Sequence, residues 1–309
     1  MVRQNFPHRF ATPAARAFTL IELLVVMTII FALVGLLLPA LVSSNRCGKT
    51  LKDSSQIRGI HQSWIVISRE SEGVFPTPGL VDRQPDPVLG KLPGKGREDR
   101  AKNDTASLHS MCIMQNYYTP EICVGPTEPS GKVAIKDDYN WEMYNSTSAG
   151  PNPFTYWDVK FRADLRVESH VSYASMPIVN ERQIRQWRDT MDSAWTMIGN
   201  RGVYDGMGTG TAFSVGYHDS ITLQIHGHGK QWIGNVCFND NHVRLIDTFF
   251  PPGVNYRRHG VATPDNIFRN DNNGSPTTSG PDGNDCWLVI VRRLLGTPDR
   301  IGVVQNSWD

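Results

Sequence analysis

Apolar residues form a long run near the N-terminus, from Phe18 to Leu41, that carries one charged side chain, Glu22. At about 1.5 Å per residue the run can cross a hydrocarbon core of ~30 Å, so it predicts a transmembrane helix at residues 18–42. A carboxylate inside such a helix costs roughly 2.5–3.5 kcal/mol at the bilayer centre on insertion scales. Glu22 is therefore a candidate functional residue that needs a partner.

The residues before this run, 1–17, are basic: three arginines and no acid precede the apolar stretch (Arg3, Arg9, Arg16). Positive charge marks the cytoplasmic flank of a membrane helix, so we expect a single-pass membrane protein with a cytoplasmic N-terminus. The C-terminal domain would then be periplasmic or extracellular. A secretory signal is not the expected leader, because here the polar-to-apolar junction is the candidate cleavage site and the apolar part would remain. Pro39, near the outer end of the run, predicts a kink.

Helical spacing continues beyond the membrane, over residues 43–72. Apolar side chains recur there at intervals of three and four, which predicts one buried helix face (Ile57, Ile60, Trp64, Ile67). Gly73 provides a C-terminal stop. This segment is therefore interpreted as the outer half of the N-terminal helix.

The remaining residues, 73–309, alternate between irregular polar segments and short apolar runs. Gly234–Phe238 and His242–Asp247 predict a β-hairpin around a polar turn. Other expected elements are helices near 106–118 and 181–192 and strands at 169–173, 194–201 and 286–295, the last taken as the final strand. The predicted fold is α+β: a long N-terminal transmembrane helix packed on an antiparallel sheet with large irregular insertions.

Composition narrows the function classes. A net charge of +1 gives no indication of nucleic-acid binding. Export would place the five cysteines in an oxidising compartment. Cys112 and Cys123 are the nearest pair for a disulfide, whereas five separately buried thiols are the alternative. No CxxC motif is present to indicate a zinc ribbon or thioredoxin-like redox chemistry.

The sequence FTLIELLVV, from Phe18 to Val26, resembles the prepilin N-terminus of type IV pilins and type II secretion pseudopilins. The resemblance implies cleavage by a prepilin peptidase between Ala17 and Phe18, where the family usually has Gly in place of Ala17. It also implies N-methylation of Phe18 and a helix-kinking role for Pro39. Other pilin-like subunits are the implied partners. Combined with the cost of a lone membrane carboxylate, the resemblance makes Glu22 the residue that sets assembly register, by pairing with the Phe18 ammonium of a neighbouring subunit.

The end of the N-terminal helix and the hairpin resemble a prepilin-associated family with an H-X9-DG domain. Gln56, Ile57, Gly59 and the later Gly73, Phe75 and Pro76 match its pattern. Asp240 is followed by Asn241 instead of Gly, and Asn also tolerates the positive φ of such a turn. The histidine register differs, because His228 lies twelve residues before Asp240.

Two metal hypotheses remain open. His226, His228 and His242 with Asp240 could form a zinc site, which would suit an exported hydrolase. Four acids of the C-terminal segment offer hard oxygen ligands for calcium, a site with precedent among pseudopilins (Asp265, Asp271, Asp282, Asp285). A solvated, turn-rich loop is the alternative to calcium binding, and otherwise no cofactor is expected.

These patterns together predict a non-catalytic, pilin-like or pseudopilin-like subunit that is anchored in or assembled from the inner membrane. Its predicted parts are a leader at 1–17, a transmembrane half-helix at 18–42, the outer half-helix at 43–72 and an exported domain at 73–309. The alternative is a membrane-anchored periplasmic binding module, or a metal-dependent hydrolase, that uses a pilin-type leader for export.

Overall fold

The computed structural model describes residues 18–207, 217–258, 260–271, 284–297 and 300–308. The leader and Ala17 lie outside the described residues, as does Asp282. The chain divides into two compact units, Met1–Gly48 and Lys49–Asp309.

The first helix, α1, spans Leu20–Glu70 and includes Pro39. Its C-terminus is followed by two residues with positive φ, Glu72 (53°) and Gly73 (80°), and the Gly73 N–H donates to the Ser68 carbonyl. The predicted stop at Gly73 is confirmed, and the positive φ explains why glycine suits the position. The later helices are short: α2 (Pro78–Val81), α3 (Thr105–Met114) and α4 (Asn180–Arg185).

The described strands form four antiparallel sheets. They are β1 (Ala163–Asp164), β2 (Glu168–Ser169), β3 (Tyr173–Ser175), β4 (Thr196–Asn200), β5 (Gly234–Phe238), β6 (Val243–Ile246), β7 (Asn255–Arg258), β8 (Val261–Pro264), β9 (Ile290–Gly296) and β10 (Ile301–Ser307). The largest sheet has the order β3-β4-β5-β6, and β1-β2, β7-β8 and β9-β10 are separate pairs. The predicted hairpin is confirmed, with Gly234 opposite Ile246 and Cys237 opposite Val243.

The outer part of α1 supplies one face of the core of the second unit. Ile57, Ile60, Trp64 and Ile67 are all buried, which confirms the predicted stripe. The Trp64 ring lies 5.1 Å from that of Trp187 and 6.5 Å from that of Phe75. A long apolar helix together with antiparallel sheets makes the fold α+β, as the sequence predicted.

Three predicted elements differ from the structure, and a local contact accounts for two of these differences. The strand at 169–173 is interrupted because the Ser169 hydroxyl bonds the Val171 N–H and carbonyl, so β2 ends there. The helix predicted to run to 192 ends at Arg185, and Trp187 turns inward to donate its indole N–H to the Pro76 carbonyl at 3.1 Å. The predicted final strand is followed by another, β10.

The proposed Cys112–Cys123 disulfide is wrong. All five cysteines lie within the described residues and are free thiols, four of them buried and Cys47 exposed. Burial raises the pKa of Cys112 to about 12, so its thiol stays protonated. The buried thiols act as small apolar core residues.

Candidate functional site

The N-terminus of α1 is closed by a reciprocal pair of side-chain bonds between Thr19 and Glu22. The Glu22 N–H donates to the Thr19 hydroxyl oxygen at 3.2 Å, and Glu22 Oε2 accepts from the Thr19 N–H at 2.9 Å and from its hydroxyl at 2.8 Å. This is a capping box, in which two N–H groups of the first helical turn are satisfied by side chains. Glu22 therefore has a structural role in its own chain.

The capping box leaves half of the carboxylate unused. Both Thr19 donors reach Oε2, and among the described residues no donor contacts Glu22 Oε1. Cleavage between Ala17 and Phe18 would keep Thr19 as the second residue, with its N–H still part of a peptide bond. The box and a cleaved N-terminus are therefore compatible.

The part of α1 that precedes Lys49 presents only exposed side chains. Every residue from Phe18 to Gly48 is exposed, and the stretch up to Val42 is rich in Leu, Ile and Val. By length and composition α1 can cross a membrane. Since exposed apolar surface of this extent is rare on a soluble protein, the stretch suggests membrane anchoring.

In the second unit, a buried carboxylate joins α1 to three distant segments. Asp53 is fully buried, and its two oxygens accept from the Tyr173 hydroxyl (2.9 Å), the Asn235 amide (2.7 Å) and the Asn200 amide (3.3 Å). His226 Nε2 lies 3.1 Å from Asp53 Oδ2. Four side-chain partners compensate for the desolvation of this charge.

Asp53 also affects the hydrogen bonding of His226 and the pKa of Tyr173. The carboxylate accepts from the Nε2–H of His226, and the other ring nitrogen of His226, Nδ1, lies 3.3 Å from the Thr50 hydroxyl. Burial and the nearby carboxylate raise the pKa of Tyr173 well above its usual range, which keeps its hydroxyl a donor. The sequence analysis did not identify Asp53. A signal was present, because position 53 precedes Ile57 by four residues and therefore continues the buried stripe.

A second polar contact ties α1 to the turn between β5 and β6. Asn241 has φ 65°, and its side chain lies 3.1 Å from His61 Nδ1 and donates to Gln62 Oε1 at 2.6 Å. Burial lowers the pKa of His61 to about 4, so the ring is neutral at physiological pH. An Asn at this turn therefore adds two contacts to α1 that a glycine could not make.

The structure does not bring the proposed zinc ligands together. His226 faces Asp53, His228 is exposed, and His242 bonds Asp240 while stacking on Phe238 with ring centroids 4.3 Å apart. Among the described residues, the one group of three or more potential metal ligands is acidic and contains no histidine. The zinc hypothesis fails because the histidines serve separate local contacts.

That acidic group contains three of the four residues predicted for calcium: Asp265, Asp271 and Asp285, whose oxygens lie within 4.8 Å of one another. Arg182 donates to Asp285 at 2.5 Å, and Arg269 lies 3.4 Å from Asp271. Three carboxylates thus face two guanidinium groups, which leaves one negative charge in excess.

Protonation can neutralise that excess charge. Burial, with the adjacent Asp285 carboxylate, raises the pKa of Asp265 to about 9. Asp265 Oδ2 accepts the Cys286 N–H at 2.7 Å, but no N–H among the described residues reaches Asp265 Oδ1 or Asp285 Oδ1. A proton on Asp265 would bond these two carboxyl groups to each other, and a bound cation would replace it.

Comparison with known families gives one match. The family described as the prokaryotic N-terminal methylation motif matches residues 13–38. No curated protein matches the chain, and no solved structure matches it. The match indicates a type IV pilin-like precursor, of the kind that prepilin peptidase processes.

The capping box is a feature that the sequence analysis missed. Its signature, a Thr followed three residues later by a Glu before an apolar run, is present as Thr19-Leu20-Ile21-Glu22. The prepilin resemblance accounted for the same residues, so the local role of Glu22 was not considered. Phe18 itself is exposed, and its processing and methylation stay predictions.

Proposed function

We propose that the mature protein is a non-catalytic, pilin-like subunit held in the inner membrane by residues 18–42, with its large domain on the outer side. The methylation motif at residues 13–38, joined to an exposed apolar helix, is the observation that carries this proposal. Prepilin peptidase cuts between Ala17 and Phe18, and the new Phe18 amino group is methylated. The basic leader places the N-terminus in the cytoplasm.

Assembly uses the free half of the Glu22 carboxylate. Thr19 occupies Oε2, whereas Oε1 is available to the Phe18 ammonium of a neighbouring subunit. Pairing the two charges removes the cost of burying either one alone in hydrocarbon. The partners are therefore other pilin-like subunits, of a pseudopilus, a type II secretion system or a surface filament.

The turn of the β5–β6 hairpin is a further point of resemblance to the H-X9-DG family. The turn residue Asn241 has the positive φ for which that family's Asp-Gly pair is suited. In this chain the Asn side chain also contacts α1, which a glycine would not do. The hairpin thus contributes to holding the exported domain on the outer half of α1.

The acidic cluster adds a calcium site to the proposal. Asp265 Oδ1 and Asp285 Oδ1 have no N–H donor among the described residues, and one negative charge is in excess. Calcium favours carboxylate oxygens and would replace the proton on Asp265. Calcium then stabilises the C-terminal part of the domain without taking part in a reaction.

N-terminal sequencing of the protein extracted from membranes tests the proposal. The expected first residue is Phe18, carrying an N-methyl group detectable by mass spectrometry. An Ala17→Gly variant, which restores the family's usual residue, should give the same N-terminus with equal or faster processing. A mature chain that starts anywhere else, or that retains its leader, would remove the pilin-like assignment.

A further inference from the structure

A groove of about 660 Å³ lies on the second unit, between α2, the C-terminus of α3 and the segment containing residues 141–156. Its volume is within the range of small-molecule sites, roughly 300–1,000 Å³. Three aromatic rings line it: Trp141 and Tyr144, which are 44% and 54% exposed, and the buried Tyr156. The groove is far along the chain from the methylation motif, and neither the motif nor the proposed assembly role accounts for it.

The rings are held in place by the backbone around them. Trp141 packs against the buried Tyr139 with centroids 4.8 Å apart. Asn145 and Thr155 exchange two backbone bonds of 2.7 and 2.9 Å, which fixes the neighbouring Tyr144 and Tyr156 with their rings edge to face at 6.3 Å. Tyr and Trp rings are enriched at binding interfaces, where one end of the ring is apolar and the other can form hydrogen bonds.

Two amide side chains stand on the opposite wall because of how α3 ends. Asn116 has φ 61°, its N–H donates to the Ile113 carbonyl, and the Tyr117 N–H donates to the Cys112 carbonyl. This pair of bonds is a Schellman motif, which ends the helix and leaves Gln115 and Asn116 exposed at the groove.

The polar groups of the groove are uncommitted. Among the described residues, none accepts from or donates to the Gln115 or Asn116 amide, the Trp141 N–H, or the Tyr144 and Tyr156 hydroxyls. No charged residue is among those that line the groove. The lining therefore offers apolar faces beside neutral donors and acceptors, a combination that matches an uncharged, hydroxyl-rich ligand.

We propose that this groove binds a neutral oligosaccharide. The C–H face of a pyranose ring stacks on the electron-rich faces of Trp141 and Tyr144, and its hydroxyls pair with the Gln115 and Asn116 amides. A sugar hydroxyl both donates and accepts, so it satisfies the amide carbonyl oxygens as well as the amide N–H groups. A polyproline segment has acceptors but no backbone N–H, and it would leave those carbonyl oxygens without donors.

Binding is tested with the full-length protein in lipid nanodiscs prepared without glycoside detergents, since a maltoside headgroup would compete. A glycan array with neutral and acidic oligosaccharides is probed first, and the best neutral glycan is then titrated by calorimetry. We expect signal on neutral glycans only. Trp141→Ala and Tyr144→Ala should each weaken binding about tenfold or more, and Gln115→Leu should weaken it while keeping the groove apolar.

Tyr204→Ala is the matched control, because Tyr204 is 56% exposed and lies outside the groove. It should bind like the wild type, and all variants should share the wild-type melting temperature. The absence of array signal, binding restricted to acidic glycans, or binding that survives Trp141→Ala would each overturn the proposal. Saturable binding of a decaproline peptide that Trp141→Ala abolishes would assign the groove to a peptide instead. None of these readouts depends on leader cleavage or on assembly.

Discussion

At the scale of single residues, substitutions can separate the capping role of Glu22 from the assembly role that we propose for it. Glu22→Gln keeps an acceptor for Thr19, and so the capping box, but removes the charge. Thr19→Val removes the two bonds of the capping hydroxyl but leaves the charge. If the carboxylate pairs with a neighbour's ammonium, Glu22→Gln should abolish assembly, whereas Thr19→Val should still assemble and lose about 1 kcal/mol of helix stability.

Subunit crosslinking in membranes and the yield of sheared filaments measure assembly, and N-terminal sequencing checks that both variants are still cleaved. Glu22→Ala serves as the reference that lacks both functions. Normal assembly of Glu22→Gln would restrict Glu22 to capping. Loss of assembly in Thr19→Val alone would make the cap, instead of the charge, the essential feature.

Asp265 gives a pH-dependence whose sign follows from its raised pKa. Burial raises the pKa of Asp265 to about 9 in the folded state, whereas the pKa of an Asp in the unfolded chain is about 3.9. Between these values the folded state binds more protons, so this residue makes stability fall as pH rises. In chelator, we expect Asp265→Asn to reduce the loss of melting temperature between pH 6.5 and 9.

Calcium should raise the thermal stability of the protein, whereas rising pH should lower it. In the wild type at pH 8, millimolar calcium should raise the melting temperature, since a ligand of the native state stabilises by RT ln(1 + [L]/Kd). Asp265→Asn should lose most of that gain, and the exposed Asp137→Asn should retain it. If the wild-type melting curve does not change with calcium or with chelator, the cluster does not bind calcium, and the proton on Asp265 alone neutralises its excess charge.

At the scale of elements, Asn241 joins the β5–β6 turn to α1. Asn241→Gly keeps the positive φ but removes the contacts with His61 and Gln62. Leaving a buried polar group without its partner costs about 1–3 kcal/mol, so we expect a destabilisation of that size in urea unfolding. Asn241→Ala should cost more, because it adds strain at a φ of 65°.

Asn116→Gly is the matched control for this turn. Asn116 also has positive φ, at the end of α3, but its exposed side chain has no partner among the described residues. Its replacement should leave stability nearly unchanged. Equal effects at the two positions would attribute the loss to glycine's backbone entropy instead of to the contacts with α1.

The elements differ in how far sequence could predict them. The bounds of α1 and of the β5–β6 hairpin follow from helical spacing and from a polar turn between two apolar runs, and both were predicted. β2 and β3 could not be separated, because the break depends on whether the Ser169 hydroxyl bonds its own backbone. The end of α4 depends on a distant acceptor for Trp187, the Pro76 carbonyl, which local periodicity does not encode.

The same distinction applies to the candidate sites. Thr19 and Glu22 are three residues apart, so their contact is readable from sequence. The partners of Asp53 lie at positions 173, 200, 226 and 235, and only the tertiary fold brings them together. The zinc hypothesis was wrong for this reason: the three histidines are close along the chain, but the fold does not bring their side chains together at one metal site.

At the scale of the whole molecule, the division into two units predicts that the second can exist alone. A chain beginning at Lys49 lacks the exposed apolar stretch but keeps Asp53 and the buried stripe of α1. A domain folds alone when it has its own hydrophobic core, and the buried stripe of α1 supplies one face of the core of the second unit. We therefore expect the truncated chain to be a soluble domain that unfolds cooperatively. A chain beginning at Ile65 would lose Asp53 and most of the stripe, and it should aggregate or remain unfolded.

Two substitutions within the truncated chain make the test quantitative. Trp64 is fully buried against Trp187, so Trp64→Ala should cost about 3–5 kcal/mol or prevent folding. Val66→Ala, at an exposed position of the same helix, should cost less than about 0.5 kcal/mol. Urea unfolding followed by circular dichroism measures both. If the Lys49 chain unfolds without cooperativity, the second unit requires the residues before Lys49 or neighbouring subunits to fold, and its stability then depends on more than the truncated chain.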